Sequence, residues 1–132
     1  MTNWVTWHEA YDDPSSSLSA RLQRVRAHLS AAIDRAPAGP VRLVSLCAGQ
    51  GHDVLGVLPG HPRRDDVRAV LVEADAANTE MARGRAAEAG LAQVEVRQAD
   101  ASRRPPARCS PSRPSRCGHP AAGAAYGRRA RE

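Results

Sequence analysis

Between residues 15 and 100 the apolar pattern switches repeatedly between helical and strand spacing, and that alternation constrains the fold more than any other feature. Leu18, Leu22, Val25, Leu29 and Ile33 are spaced 4, 3, 4 and 4, one apolar stripe on a helix. Ser15-Ser16-Ser17 offers an N-cap in front of it, and Pro37, Gly39 and Pro40 end it near Ala36. Val41–Leu46 then reads as a short buried strand. Residues 47–52 form a glycine-containing loop, and 53–58 a short helix stopped by Pro59-Gly60. A polar connection leads to a second strand, Val67–Glu73. Asp75 caps a helix running to Ala89, with Gly90 at the C′ position, and Val94–Gln98 is a third strand. Helix, strand, helix, strand, helix, strand predicts an α/β fold with a parallel sheet and crossover helices.

The chain has 132 residues, enough for one small domain. No apolar run approaches the roughly 20 residues that span a bilayer, so no membrane partner is expected. Met1-Thr2-Asn3-Trp4 has no basic region before an apolar stretch, so no signal peptide is expected. Cys47, Cys109 and Cys117 are odd in number and form no CxxC pair, which argues against a disulfide framework and a zinc module. A reducing, cytoplasmic setting is the expectation, with no metal.

The net charge of +5 is unevenly spread. Residues 1–100 hold 11 Arg and 13 acids, net −2; residues 101–132 hold 8 Arg and one Glu, net +7. The chain has no lysine. The last 32 residues contain no Val, Leu, Ile, Met, Phe or Trp, and Arg, Ala, Pro, Ser and Gly fill 27 positions. Such a segment buries too little apolar surface to offset its ordering entropy and is expected to be disordered. Its composition fits a GC-rich gene read out of frame from about residue 100; a natural basic tail is the other reading. A basic tail binds phosphate backbones without regard to sequence, so it says nothing of the domain before it. A nucleic-acid-binding protein stays as an alternative reading, but nucleic acid is not the expected partner. The expected organisation is an aromatic segment at 1–14, a cofactor-binding domain at 15–101 and a tail at 102–132.

Ligands of open α/β sheets sit beyond the carboxyl ends of the strands. There the sequence places Gly49 and Gly51 after the first strand, Glu73 at the second and Asp100 after the third. Glycines let a backbone approach a ligand closely. An acid 22 residues after Gly51 suits a ribose diol, and a third-strand acid an adenine amino group. A GxGxxG dinucleotide fingerprint needs glycine where Val54 stands, which counts against the alternative of a dinucleotide-dependent oxidoreductase. A P-loop needs a lysine that the chain lacks. The pattern favours a nucleoside without pyrophosphate.

Val41-Arg42-Leu43-Val44-Ser45-Leu46-Cys47-Ala48-Gly49-Gln50-Gly51 resembles motif I of the class I S-adenosylmethionine-dependent methyltransferases. Val70-Leu71-Val72-Glu73-Ala74-Asp75 resembles the second motif and Gln98-Ala99-Asp100-Ala101 the third. The resemblance covers about residues 4–101. It implies a Rossmann-like three-layer sandwich, here incomplete with about three strands, and S-adenosylmethionine as cofactor. It implies a cofactor site made by Cys47, Ala48, Gly49, Gly51, Asp53, Glu73, Ala74, Asp100 and Ala101. Gly49 and Gly51 would line the methionine portion, Glu73 would hold the ribose, and Asp100 with the Ala101 N–H would meet the adenine. Trp7 and Tyr11 are candidates for a lid. The family's motif I acid is Ser45 here and its first glycine is Cys47, which is expected to be a small buried residue. His8 and His52 could approach the site, although a lone histidine is more often structural or solvated.

The same resemblance implies seven strands, of which this sequence supplies three. The first strand is then an exposed apolar edge, a site of self-association. The groups that hold the methyl acceptor are expected to be missing, so the acceptor is unknown and little transferase activity is expected.

Overall fold

The computed structural model describes Asn3 and residues 8–103. The expectations for Trp7 as a lid and for residues 104–132 as a disordered tail lie outside the described residues.

Helix α1 spans Ser17–Arg35. Ser16 caps it, its side chain accepting from Leu18 N, and the chain turns extended at Ala36 before the prolines. Leu22 and Ile33 are buried and Leu29 half-buried, as the stripe requires. Val25 departs from it: it is 40% exposed and faces a cleft. A short 3₁₀ turn at His8–Tyr11 precedes the helix and packs against it.

Strands β1 (Val41–Leu46), β2 (Val67–Glu73) and β3 (Val94–Gln98) form one parallel sheet in the order β1-β2-β3. Helix α2 spans Val54–Val57 after β1, with Asp53 accepting from Val54 N. Helix α3 spans Ala76–Glu88 after β2, capped by Asp75 on Asn78 N. Gly90 follows the helix at φ +64, the left-handed turn that releases the chain toward β3.

Register explains the core. Val41 pairs with Val67, Leu43 with Ala69, and Ser45 with Leu71, while Ala69 pairs with Val94 and Leu71 with Val96. These residues point to one face, where Leu29 and Ile33 of α1, Val54 and Leu55 of α2, and Ala82 and Ala86 of α3 meet them. The opposite face carries Arg42, Val44 and Leu46 on β1, and no described helix contributes to it.

The expectation of a buried β1 is therefore corrected, while that of an exposed apolar edge agrees with the structure. Val44 is 65% and Leu46 61% exposed, and burial alternates along the strand. The run has apolar residues on both faces, but only the inward set meets helices. The sheet and its one helical layer are two of the three layers expected, and among the described residues β1 is one sheet edge and β3 the other.

Candidate functional site

The carboxyl ends of β1 and β2 and the start of α3 open onto a cleft of about 840 Å³, closed on the far side by α1 and the His8–Tyr11 turn. Its lining includes Cys47, Ala48, Gly49, Asp53, Glu73 and Ala74, six of the nine residues expected at a cofactor site, together with the lid candidate Tyr11.

Glu73 organises the cleft. One carboxylate oxygen accepts from Gly49 N at 2.7 Å and the other from Asp75 N at 2.9 Å. The side chain thereby ties the glycine loop to the cap of α3. Its backbone carbonyl accepts from Ala99 N at 2.8 Å, which fixes the strand end against the chain leaving β3. A carboxylate offers about four acceptor positions, so two remain for a ligand.

The loop from 47 to 52 is held from inside. Ala48 N donates to Val72 O, Gly51 N to Ala48 O and Leu55 N to Gly51 O. Gly49 and Gly51 have φ of +55 and +74, and Cys47 has φ +53. Left-handed backbone at position 47 explains why the resembling motif has glycine there. Cys47 is a free, exposed thiol rather than the small buried residue expected.

Three expected residues do not line the cleft. Gly51 is buried beneath it, where a Cβ would meet Leu55 and Leu71, so its part is to let the loop pack on the core. Asp100 and Ala101 are exposed at the end of β3. The Asp100 carboxylate accepts from Ser102 N and Oγ and from Arg103 Nε. Those Ser102 bonds hold its pKa below the ordinary aspartate value.

His8 and His52, which the sequence allows to approach the site, line the cleft, and so do residues that lay beyond sequence reasoning: Arg21, Leu22, Val25, Asp75 and Asn78. The capping position of Asp75 was a local signal; contacts across 28 to 44 residues leave none. His8, Tyr11 and His52 cluster, with ring centroids 4.9 to 5.5 Å apart and planes within 35° of one another. The His8 ring lies over Gly49, where a Cβ would be 2.5 Å from Cε1. Behind the rings runs a polar network. Arg85 Nη1 lies 2.8 Å from His52 Nδ1, Arg85 Nη2 donates to Gln50 Oε1, and Gln50 Nε2 donates to Asn78 Oδ1. Arg26 donates twice to the His52 carbonyl.

This setting disfavours the protonated form of both imidazoles. Burial, then the charges of Arg85, His8 and Arg26, pull the His52 pKa from 6.5 to about 4, against Asp12. His8 is lowered chiefly by burial, with Glu73 opposing and Arg85 assisting. An NMR titration of the His52 ring should therefore show a midpoint near 4, and Arg85→Gln should move it upward. An unfolded His52 takes up its proton near 6.5, so the native state loses stability as pH falls from 6.5 toward 4. Urea melts across that window should show a shallower loss in Arg85→Gln.

No family model matches the chain, and no curated protein matches it in sequence. Solved structures do. An S-adenosylmethionine-dependent methyltransferase from Thiobacillus denitrificans, in complex with S-adenosyl-L-homocysteine, superposes with a TM-score of 0.50 at 20% identity, covering 76% of this chain and 38% of that one. The fold is that of part of this S-adenosylmethionine-dependent methyltransferase. A methyltransferase from Geobacter sulfurreducens with the same ligand gives 0.48 at 24% identity, over 60% of this chain and 30% of that one. Coclaurine N-methyltransferase, bound to N-methylheliamine and S-adenosylhomocysteine, gives 0.48 at 22%, over 67% and 24%. The chain thus spans between about a quarter and two fifths of the length of these methyltransferases. Among the described residues no helix is long and apolar enough to cross a membrane, and no three His, Cys, Asp or Glu gather as metal ligands.

Proposed function

We propose that the chain is the cofactor-binding part of an S-adenosylmethionine-dependent methyltransferase and that the cleft at Glu73 and Gly49 holds the cofactor. The observation that carries the reading is the Glu73 carboxylate. It already spans the glycine loop and the α3 cap, and it keeps two acceptor positions for a vicinal diol. The bare backbone at Gly49 gives the adjoining chain of the ligand room to pass. In this reading Asp100 and the Ala101 N–H, which follow the neighbouring strand β3, would meet the adenine.

When bound, the cofactor supplies a sulfonium methyl to an acceptor nucleophile and leaves as a neutral thioether. What the protein contributes to such a transfer is alignment. Glu73 orients the ribose, the glycine loop sets how deep the ligand lies, and Tyr11 with His8 closes one wall. The neutral His8 and His52 add no positive charge beside a cationic ligand. The methyl acceptor is a partner of unassigned chemistry. We also propose a reducing, cytoplasmic setting, in keeping with the free thiol of Cys47, and self-association through the β1 edge, where Val44 and Leu46 are exposed.

Isothermal titration of the whole chain tests the reading. Saturable one-to-one binding of S-adenosylhomocysteine is expected, with none for NAD. Ligand at 100 times its Kd should raise unfolding free energy by about 2.7 kcal/mol. Absence of saturable binding at millimolar ligand, or tighter binding of NAD, would reject it.

A further inference from the structure

Among the described residues no strand pairs with β3 on the side away from β2. Backbone groups alternate sides along a strand, and two hydrogen bonds fix which ones face β2: Ala69 N donates to Gln93 O, and Ala99 N to Glu73 O. Glu95 and Arg97 therefore turn their backbone groups toward β2, and Val94, Val96 and Gln98 turn theirs outward. Val94 N donates to Leu91 O in the turn before the strand, and Val96 O accepts from Arg83 Nε at 3.3 Å and Nη2 at 3.1 Å. The N–H groups of Val96 and Gln98 and the Val94 carbonyl face outward, with no strand among the described residues to meet them. Beside this edge runs a groove of about 350 Å³, lined in part by Ala87, Gly90, Leu91 and Ala92. Ala87, Gly90 and Ala92 are small and exposed, so a neighbouring chain can come close.

The charges on the other face of β3 specify what can pair there. Glu95 and Arg97 are exposed, and Arg97 Nε and Nη2 both donate to the Glu95 carboxylate. The two charges flank Val96 and are opposite in sign. A second β3, laid antiparallel along the edge about a two-fold axis at Val96, sets each Glu95 opposite the other copy's Arg97. The four charges then alternate in sign, along each strand and across the pair. In the same register the two Val96 residues exchange N–H···O bonds, and each Gln98 N–H meets the Val94 carbonyl of the other copy. Arg83 fills one acceptor position of the Val96 carbonyl, which has two. Moving the axis to Glu95 or Arg97 sets like charges directly opposite each other, which is destabilising. The β1 edge, whose one charged residue is Arg42, has no such match.

We propose that the β3 edge is a self-recognition surface: it pairs antiparallel, centred on Val96, with the β3 edge of a second copy of this chain, and the two sheets become one. Such a contact is isologous and closes on itself, so it yields a dimer rather than a fibre. The inference is independent of the cofactor reading, and it concerns the opposite edge of the sheet from the apolar one at β1.

Sedimentation of the full chain at low salt tests it. Monomer and dimer should interconvert with concentration, and added salt should weaken the dimer. Glu95→Arg and Arg97→Glu should each weaken it about tenfold or more, because each sets two like-charged pairs opposite one another. Both changes in the same chain should restore the dimer to within about threefold of the wild type, since the charges alternate again. An equimolar mixture of the two single variants should dimerise more tightly than either variant alone. Glu95 and Arg97 are exposed, so the variants should melt with the wild type. A chain that stays monomeric at millimolar concentration would overturn the proposal and leave the edge to a strand of another protein. A dimer indifferent to both single changes would overturn it too, by placing the association elsewhere, and so would a double variant as weak as the single ones.

Discussion

Replacing Glu73 by Gln should weaken S-adenosylhomocysteine binding by at least about a hundredfold, the loss expected for two charge-assisted hydrogen bonds at 1.5–3 kcal/mol each. The reason lies in donors and acceptors rather than size. In the native protein both carboxylate oxygens accept, one from Gly49 N and one from Asp75 N. A glutamine has one accepting oxygen and one donating nitrogen, so one backbone N–H must face another donor. Either the glycine loop or the α3 cap then loses its partner. The half-buried position makes this cost about 1–3 kcal/mol of folding stability as well. Glu73→Ala should bind ligand as poorly but unfold less readily than Glu73→Gln, because water can reach the two N–H groups. Calorimetry and urea unfolding on both variants check the two effects separately. Ligand binding by Glu73→Gln within threefold of the wild type would remove Glu73 from the site.

Much of this site is legible in the sequence because its parts are local. Glu73 closes a β-rich run, Asp75 stands at a helix cap and Gly49 and Gly51 follow a strand; each signal needs only a few residues. The sheet order places those local signals on one rim. What is not legible depends on distant contacts. His8 and His52 lie 44 residues apart, and a single histidine reads as structural. Only the fold shows the two rings stacked at 5.4 Å with Arg85 behind them. Arg21 reads as one more solvated arginine on a polar helix face, and the cleft beside it exists only once β2 and α1 are assembled.

For the strand β1 only the buried reading fails, and for a different reason. Val41-Arg42-Leu43-Val44-Ser45-Leu46 places apolar residues on both faces, so it reads as buried. Which face meets helices is decided by the handedness of the crossovers, which brings α2 and α3 to the same side. Val44 and Leu46 then lie on the other. Asp100 illustrates a third limit. Its position after β3 is read correctly, but the direction of its carboxylate is set by Ser102 and Arg103, two and three residues on.

The two loop glycines should separate folding from binding when each is changed to alanine. At Gly51 the φ of +74 strains any side chain, and the new Cβ would lie 2.7 Å from Leu55 Cδ1 and 3.0 Å from Leu71 Cδ2. Leu71 is fully buried, so neither neighbour has space to withdraw. Left-handed strain of about 1–2 kcal/mol and overpacking of about 1–3 kcal/mol sum to roughly 3 kcal/mol. That is a large part of the 5–15 kcal/mol that typically holds a domain together. Gly51→Ala should therefore unfold at markedly lower urea and lose ligand binding as a consequence. At Gly49 the φ is +55 and the Cβ would strike the tip of the His8 side chain, the end of a side chain that rotation about its χ angles can displace, rather than a leucine of the core. Gly49→Ala should cost only the backbone strain, about 1–2 kcal/mol. It should stay folded, yet bind ligand at least about tenfold more weakly, because the methyl group and the displaced ring both enter the cleft. Cys47, already left-handed at φ +53, supplies the control: Cys47→Gly removes strain at the same loop and should lose neither stability nor binding. Urea unfolding paired with calorimetry on the three variants distinguishes them. An equal stability loss for Gly49→Ala and Gly51→Ala would mean that the loop does not rest on Leu55 and Leu71 as described, and the division of work between the two glycines would fall with it.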